Sequence, residues 1–407
     1  MVEQFKLLTS SNLYYSEQKN YMIKTSIVAD SIKLSLVRSL FNEAKKYDDV
    51  IDFTLGDPDV QPHQAIKDAA CEAIQEGKTR YSQNAGLLDL RQTISKYYEQ
   101  KEGFKYNPVT EVMATVGAME GLYLALISIL NPGDEVIMPA PYYVNYAQMI
   151  RMCHAVPIII DNPEHTDLSF DVADIEKAVT PKTRAIMINT PSNPSGRIIP
   201  WNKIEGIAEL AKKHDLVVIS DEVYKCLIYD NVPFKSIVAI DGMRERTILI
   251  NSLSKEFCMT GYRIGYVLAP EEIIAAMTKL QENVCACAPL PSQYAAIKAL
   301  DGEEDYSKNM VDIFTERRNV LFEGLSKIEK FSVKAPEATF YMMVDISKTG
   351  IDSIDFCYAL LRGAHVAAVP GVTYGQCCNH YIRIAFTLDI EKIKEGVCRI
   401  TKFVNSL

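Results

Sequence analysis

A lysine follows an apolar run in the segment NSLSK, residues 251–255, and an arginine comes shortly after it. When a fold desolvates a lysine, its pKa falls, and the neutral amine of Lys255 could then attack a carbonyl. Ser252, Ser254 and Arg263 can donate hydrogen bonds to a phosphate monoester. The pattern predicts a reactive amine beside a phosphate site. The alternative is a surface lysine near a loop arginine, which would give the same sequence pattern.

A carboxylate follows a second apolar run, in the segment SDEVY, residues 220–224. If Asp221 is buried at the end of a strand, it needs a cationic partner, because an unpaired buried charge is costly. A protonated ring nitrogen would serve as that partner. The alternative is that Asp221 is the N-cap of a helix, a position at which aspartate is common.

Two turns complete the set of segments that could do chemistry. In NTPSNPSG, residues 189–196, two prolines and a glycine predict a rigid turn that holds the Asn193 amide, or else a plain proline-rich loop. In TVGAMEG, residues 115–121, small residues lead into a helical pattern. The backbone N–H groups near Ala118 and Met119 would favour an anion there, though one such turn is weak evidence.

Each of these segments follows a short apolar run, and helical patterns lie between the runs. This alternation predicts an α/β fold in which helices cover a largely parallel sheet. Ligands gather at the carboxyl ends of the strands in such sheets, which is where these segments fall. The predicted strands are Glu111–Val116, Glu135–Met138, Val156–Ile160, Arg184–Asn189, Leu216–Ser220, Thr247–Asn251 and Gly265–Leu268.

The last third of the chain has a different pattern. Helical spacing at Asp312–Ile328 and Ile354–Arg362 flanks strand-like runs at Phe340–Ile346 and Tyr381–Phe386, which indicates a smaller α+β domain. We therefore predict a large cofactor-binding domain at residues 62–297. The small domain would comprise residues 24–61 and 298–407, and residues 1–23 would be an N-terminal extension.

Taken together and in this order, the motifs resemble those of the class I/II aminotransferases of fold type I, which depend on pyridoxal 5′-phosphate (PLP). The resemblance runs from about Ile51 to the C-terminus. It rests on the segments SLSKEFCMTGYRIGY, NTPSNPSG, SDEVY and YIRIAFT. It implies a mostly parallel seven-stranded sheet between helices, with a smaller α+β domain beside it.

The resemblance also implies roles around the cofactor ring. Lys255 matches the lysine that holds PLP as a Schiff base and later moves the proton. Asp221 matches the partner of the pyridinium nitrogen. Asn193 and Tyr224 match the residues that hydrogen-bond the phenolic oxygen, and Tyr143 matches the aromatic residue on the ring face. Lys255, Asp221 and Tyr224 would therefore be catalytic.

Further roles concern the phosphate and the substrate. Tyr81 matches a tyrosine that reaches the phosphate from the neighbouring subunit, which implies a homodimer with shared active sites. Arg383 matches the arginine that grips the substrate α-carboxylate, where Gly56 and Asn193 also contact the substrate. The matching phosphate ligands of the same subunit are Ser252, Ser254 and Arg263, with the backbone at Ala118 and Met119.

Substrate choice depends on what meets the substrate side chain. Some relatives that act on dicarboxylic amino acids have a cation where this chain has Met119. Together with Tyr142, Tyr143, Tyr146 and the segment Cys285–Pro291, Met119 favours an aromatic or neutral amino donor, with a 2-oxo acid as acceptor. The open alternatives are an aspartate aminotransferase, a PLP-dependent β-lyase or synthase on the same fold, and a non-catalytic sensor.

Composition narrows the class of protein further. The 407 residues carry a net charge of −9 without basic clusters, which argues against nucleic acid or an anionic membrane surface as partners. We expect a cytoplasmic protein, because neither a signal peptide nor an apolar run of membrane-spanning length is visible. The 10 cysteines lack zinc-site spacing, so we predict free thiols and no metal.

Overall fold

Seven strands form the main sheet of the structure, a computed structural model that describes residues 24–32, 36–161 and 168–407. All seven predicted strands are confirmed, with ends that differ by at most one residue. Six run parallel to one another, and Gly265–Leu268 runs antiparallel to both of its neighbours. In spatial order the strands are Val112–Thr115, Gly265–Leu268, Thr247–Ser252, Val217–Asp221, Thr183–Asn189, Glu135–Pro139 and Val156–Ile160.

Both faces of this sheet are covered, which explains why its strands are apolar throughout rather than alternating. All six residues of Thr247–Ser252 are buried. Ile248 and Ile250 pack in one apolar cluster, whereas Leu249 between them packs in another. The helices of this part of the chain are Gln64–Gln75, Leu88–Glu102, Gly117–Ile129, Asn145–Met152, Val172–Lys177, Trp201–Lys213, Leu253–Glu256, Glu271–Val284 and Leu290–Asp301.

A second, antiparallel sheet lies in the C-terminal part, as predicted. Its strands, in spatial order, are Val369–Pro370, Tyr381–Ala385, Tyr341–Asp345 and Ser332–Val333. A parallel pair, Ile51–Asp52 with Val366–Ala367, joins the early segment to this part. The helices are Leu36–Ala44, Glu303–Leu325, Ser353–Ala364 and Ile390–Asn405. The first predicted C-terminal helix, Asp312–Ile328, is thus confirmed, but it begins earlier and ends at Leu325.

A separate unit at the beginning of the chain contains residues 24–32. Its one short helix, Ile27–Ser31, begins after Ser26, whose hydroxyl accepts a hydrogen bond from the Ala29 amide. The predicted extension, residues 1–23, lies outside the described residues, and the domain limits at 61–62 and 297–298 stay a prediction. Across the described ranges, no helix combines the length and apolar character that a membrane crossing needs.

Strand direction determines which residues meet at the edge of the main sheet. Val217–Asp221 and Thr247–Ser252 run parallel, so the residues that follow them lie at the same edge. Gly265 lies opposite Ser252, because its strand runs the other way. Arg263 precedes that strand and therefore lies at the same edge as residues that follow the parallel strands.

Candidate active site

A cavity of about 470 Å³ brings together nearly all of the side chains that the sequence singles out. It is lined from both sheets and from the segment that follows Ile51–Asp52. Among the residues expected to bind the cofactor or to contact the substrate carboxylate, Tyr81 is the exception, since it does not line this cavity and is 85% exposed. The predicted site residues that line it are Gly56, Ala118, Met119, Tyr143, Asn193, Asp221, Tyr224, Ser252, Ser254, Lys255, Arg263 and Arg383.

Lys255 lies on the short helix Leu253–Glu256, directly after a fully buried strand. Its Nζ donates a hydrogen bond to the carbonyl oxygen of Gly56 at 2.6 Å. Burial lowers the pKa of the Lys255 amine to about 8, and the nearby Asp57 carboxylate opposes this shift only in part. Near neutral pH the amine is therefore neutral, and thus nucleophilic, far more often than that of an ordinary lysine.

Asp221 ends its strand as a buried carboxylate with 4% exposure. The Tyr146 hydroxyl donates to its Oδ2 at 2.5 Å, and the Val223 amide donates to its Oδ1 at 3.2 Å. Burial raises the pKa of Asp221 to about 6, while these two hydrogen bonds act in the opposite direction. No helix begins here, so the N-cap alternative is wrong. A cation beside this group would hold it ionised.

Tyr146 was expected only as a pocket residue, and sequence reasoning missed its bond to Asp221. Its ring is T-shaped to Tyr143, with ring centres 5.4 Å apart. The Tyr143 hydroxyl in turn accepts a hydrogen bond from the Asn145 side chain at 2.9 Å. The two tyrosines thus form a fixed wall beside Asp221.

Arg383 is a buried cation with 5% exposure, on the strand Tyr381–Ala385. Its Nη2 donates to the carbonyl oxygen of Thr54 at 2.6 Å, and its Nη1 donates to Asn193 Oδ1 at 3.1 Å. Its guanidinium lies 4.4 Å from the ring centre of Tyr341. Among the described residues, no carboxylate pairs with it and its buried Nε has no hydrogen-bond partner. A carboxylate from outside the chain would satisfy both the charge and the free donors.

The opposite end of the cavity is suited to a phosphate group. Gly117 has a φ of +74°, and a Cβ there would lie 2.5 Å from an Arg263 nitrogen, so only glycine allows this approach. The helix that begins at Gly117 directs its first N–H groups to the same place. The Ser252 hydroxyl lies 3.1 Å from the Ile264 carbonyl oxygen and 2.9 Å from the Ser254 hydroxyl, and its single proton can be donated to one of them at a time.

Two expected pocket features lie elsewhere. Tyr142 lines a neighbouring cavity of about 340 Å³ rather than this one. The segment Cys285–Pro291 does not line the cavity of Lys255, and the Cys285 thiol instead donates to Glu120 Oε1 at 2.9 Å. The apolar lining of the cavity beside Lys255 therefore includes Met119, Leu122 and Tyr143 and not these segments.

The groups around the cavity fit PLP. They comprise an amine with a lowered pKa for the aldehyde, a buried carboxylate for the pyridine nitrogen, and an aromatic wall. Arg263 approaches Gly117 closely, which a Cβ at residue 117 would prevent. Hydroxyl, guanidinium and backbone donors therefore lie together, where they could bind the phosphate. The buried guanidinium of Arg383 remains for a carboxylate of the substrate.

Comparison with known proteins decides the family. The family model for aminotransferases of class I and II matches residues 48–400. The chain belongs to this family. It is accordingly a PLP-dependent aminotransferase with the fold type I architecture described above, as the resemblance implied.

Relatives of this aminotransferase are named for different substrates. An aromatic-amino-acid aminotransferase of Thermococcus litoralis is 36% identical over 375 residues, which cover 92% of this chain and 96% of the relative. An aspartate aminotransferase of Pyrococcus abyssi is 38% identical over 375 residues, with the same two coverages. The crystal structure of an aromatic aminotransferase from Pyrococcus horikoshii has a TM-score of 0.85 and 36% identity, and it covers 90% of this chain and 99% of its own.

The lowered pKa of Lys255 leads to a test of its role in this aminotransferase. Borohydride reduction of the PLP-loaded protein, followed by peptide mapping, should place the label on Lys255 alone. In the cofactor-free protein, the rate of PLP attachment should rise with pH to about 8 and level off above it, because the amine is then neutral. Absorbance stopped-flow measures this rate.

The exposed Lys279 provides the matched control. Lys279→Ala should keep both the label and the pH profile, whereas Lys255→Ala should lose both. A label on another lysine, or a rate that keeps rising to the ordinary lysine pKa above 10, would contradict the assignment.

The burial of Asp221 leads to a second test. Asp221→Asn keeps the size of the side chain but removes the charge that would hold a proton on the ring nitrogen. We expect turnover to fall by about 100- to 1000-fold, as for loss of other strong electrostatic stabilisers. Asp57→Asn removes a different carboxylate of the same cavity and should cost much less. Near-normal steady-state kinetics in Asp221→Asn would refute the role.

Proposed function

We propose that this aminotransferase transfers the amino group of an aromatic or other neutral L-amino acid to a 2-oxo acid. The observation that carries the donor preference is the side chain at residue 119. Met119 lines the cavity on the first turn of the helix Gly117–Ile129, next to Leu122 and Tyr143. Among the described residues, the cations that line the cavity are Lys255, Arg263 and Arg383. If the cofactor engages Lys255 and Arg263, one cation, Arg383, remains for one carboxylate of the substrate.

Arg383 is the group we assign to the α-carboxylate. The carbonyl of Thr54, the amide of Asn193 and the ring of Tyr341 hold it in place, so it enters the reaction already oriented. A guanidinium presents two parallel donors to a carboxylate, which a lysine does not reproduce. Binding at Arg383 therefore fixes the direction of the substrate Cα–H bond.

Lys255 is the group we assign to proton transfer. When bound, PLP supplies an aldehyde for the donor amine and a ring that accepts the electrons released at Cα. With PLP bound, the Lys255 amine would serve as the base that takes the proton from the substrate Cα and as the acid that gives it back. The carbonyl of Gly56, 2.6 Å from Nζ, holds the amine close to the place where the substrate carboxylate binds.

Asp221, Tyr224 and Asn193 are the groups we assign to the ring itself. The Asp221 carboxylate would keep the ring nitrogen protonated, and this charge makes the ring a better acceptor of electrons. Tyr224 and Asn193 would hydrogen-bond the phenolic oxygen. Asn193 is also bonded to Arg383, so it contacts both the cofactor side and the substrate side of the site.

The surroundings of Met119 favour apolar side chains on energetic grounds. The Met119 sulfur lies 3.8 Å from the Asn145 side-chain nitrogen, and Tyr143 lies beside the same asparagine. A second carboxylate placed here would lose its water without gaining a cation, which is costly. Burial of an aromatic or aliphatic side chain would instead contribute roughly 1.5–3 kcal/mol.

We also propose a homodimer in which Tyr81 completes the phosphate site of the partner subunit. Tyr81 is 85% exposed, yet the segment after it is firmly held. The buried Gln293 donates to the Ser82 hydroxyl at 3.1 Å, and Arg91 donates to Gln83 Oε1 at 2.6 Å. An exposed aromatic side chain on an anchored turn is typical of a protein–protein contact. The cytoplasmic location expected from the sequence stays a prediction.

The donor preference can be tested by comparing kcat/KM for phenylalanine, tyrosine, alanine and aspartate with one 2-oxo acid acceptor. We expect the aromatic donors to exceed aspartate by at least about tenfold, because only they gain from burial beside Met119. Product must depend on the acceptor, and release without acceptor would indicate a lyase instead.

Met119→Lys provides the reverse test. A lysine at this position should raise kcat/KM for aspartate relative to phenylalanine by about 10- to 100-fold, as expected for a charge-assisted hydrogen bond. If aspartate is already the best substrate of the wild type by tenfold or more, the preference proposed here is wrong.

The dimer can be tested by sedimentation and by cofactor affinity. The wild type should sediment as a dimer, and Tyr81→Phe should weaken PLP binding by about fivefold to tenfold through the loss of one hydrogen bond to phosphate. The matched control is Tyr294→Phe, another tyrosine of the same part of the chain. A fully active monomer, or unchanged PLP affinity in Tyr81→Phe, would contradict the shared site.

A further inference from the structure

Tyr341 belongs to none of the motifs found in the sequence, yet it lies at the centre of the candidate active site. It is 3% exposed and lines the cavity that contains Lys255. It begins the strand Tyr341–Asp345 and pairs with Ala385 on the neighbouring strand. Arg383, two residues before Ala385, is therefore its diagonal neighbour on the same face of the sheet.

The ring of Tyr341 supports Arg383. The guanidinium carbon lies 4.4 Å from the ring centre, a distance at which a cation and an aromatic face attract each other. The hydrogen bonds of Arg383 to Thr54 and Asn193 hold two of its nitrogens. The ring adds a surface against which the guanidinium rests, so the ring limits where the remaining donors can point.

The hydroxyl of Tyr341 contacts Tyr224. The two hydroxyl oxygens are 3.1 Å apart, and the rings are T-shaped with centres 5.8 Å apart. A Cβ at Gly56 would lie 1.8 Å from the Tyr341 oxygen, so a glycine at residue 56 is required for the hydroxyl to reach this place. The hydroxyl is thus enclosed between the Gly56 backbone and the Tyr224 phenol.

The number of protons on the two phenols determines the direction of this bond. Each phenol has one proton to donate. If Tyr224 donates its proton to the phenolic oxygen of the cofactor, Tyr341 must be the donor between the two tyrosines. A hydrogen bond received by Tyr224 also makes Tyr224 a stronger donor, since consecutive hydrogen bonds polarise one another.

We propose that Tyr341 is a positioning residue with two separable roles: its hydroxyl orients the Tyr224 phenol towards the cofactor, and its ring fixes Arg383 for the substrate carboxylate. This inference rests on the roles proposed above for Tyr224 and Arg383. It assigns the hydroxyl to the cofactor side of the site and the ring to the substrate side, so two substitutions at one residue separate the roles.

Tyr341→Phe removes the hydroxyl and keeps the ring. A weaker Tyr224 donor stabilises the negative phenolic oxygen less, so the bound cofactor holds its proton to higher pH. In the PLP-loaded protein, the midpoint of the absorbance change with pH should rise by roughly 0.2 to 0.7 units. KM for amino donors should stay within about twofold, since the cation–π contact is kept.

Two comparisons establish whether the effect passes through Tyr224. In the Tyr224→Phe background, Tyr341→Phe should cause no further shift of the midpoint. Tyr374→Phe is the matched control, because Tyr374 is a buried tyrosine of the same cavity with no bond to Tyr224 in the described structure. This substitution should leave the midpoint unchanged. Thermal unfolding checks that each variant is folded.

Tyr341→Leu removes the ring as well. It should raise KM for amino donors by about three- to thirtyfold, the range expected for loss of a desolvated cation–π contact. An unchanged midpoint in Tyr341→Phe, a shift that persists without the Tyr224 hydroxyl, or an unchanged KM in Tyr341→Leu would overturn the inference. None of these outcomes depends on which amino donor is preferred. Product release without an oxo acid would contradict the proposed function but would not contradict this inference.

Discussion

The site depends on a buried guanidinium, that of Arg383, which pairs with no carboxylate in the part of the chain that the structure describes. Charges inside a protein are costly unless hydrogen bonds and partners compensate for the lost water. Around Arg383 that compensation comes from the Thr54 carbonyl, the Asn193 amide and the Tyr341 ring, which belong to three distant segments. The early segment and the C-terminal sheet must therefore meet at the edge of the main sheet. The cavity is a consequence of that meeting.

Burial also acts on Lys255 and Asp221, two further ionisable groups of the cavity, and it shifts their pKa values in opposite directions. It lowers the pKa of the Lys255 amine to about 8 and raises the pKa of the Asp221 carboxyl to about 6. The charged form of each group is thus less favoured than on a surface, and an incoming ligand can change its protonation state. Groups shifted in this way cluster at functional sites, because catalysis needs protonation states that change near neutral pH.

The fold, and the placement of Lys255 and Asp221 at one edge of the sheet, could be predicted because the relevant signals are local, whereas Arg383 is identified from the family resemblance. Each strand is a continuous apolar run, and residues after parallel strands necessarily share one edge of the sheet. The contacts of Tyr146 and Tyr341 could not be predicted in this way. Tyr146 meets Asp221 across 75 residues of sequence, and Tyr341 meets Tyr224 across 117, so no spacing rule connects them. The expected role of Cys285–Pro291 failed for a related reason, since its orientation depends on packing and a thiol bond to Glu120.

Under the proposed function, the backbone and the side chain of residue 119 have two different roles. Its backbone stands in the first turn of the helix beside Arg263, where any residue other than proline presents the same N–H group. Its side chain lines the cavity beside Leu122 and Tyr143. A substitution here by any residue other than proline would therefore change the lining of the cavity and keep the backbone N–H group. Relatives with similar identity to this chain, 36% and 38%, carry an aromatic and an aspartate name, so overall identity alone does not determine the amino donor.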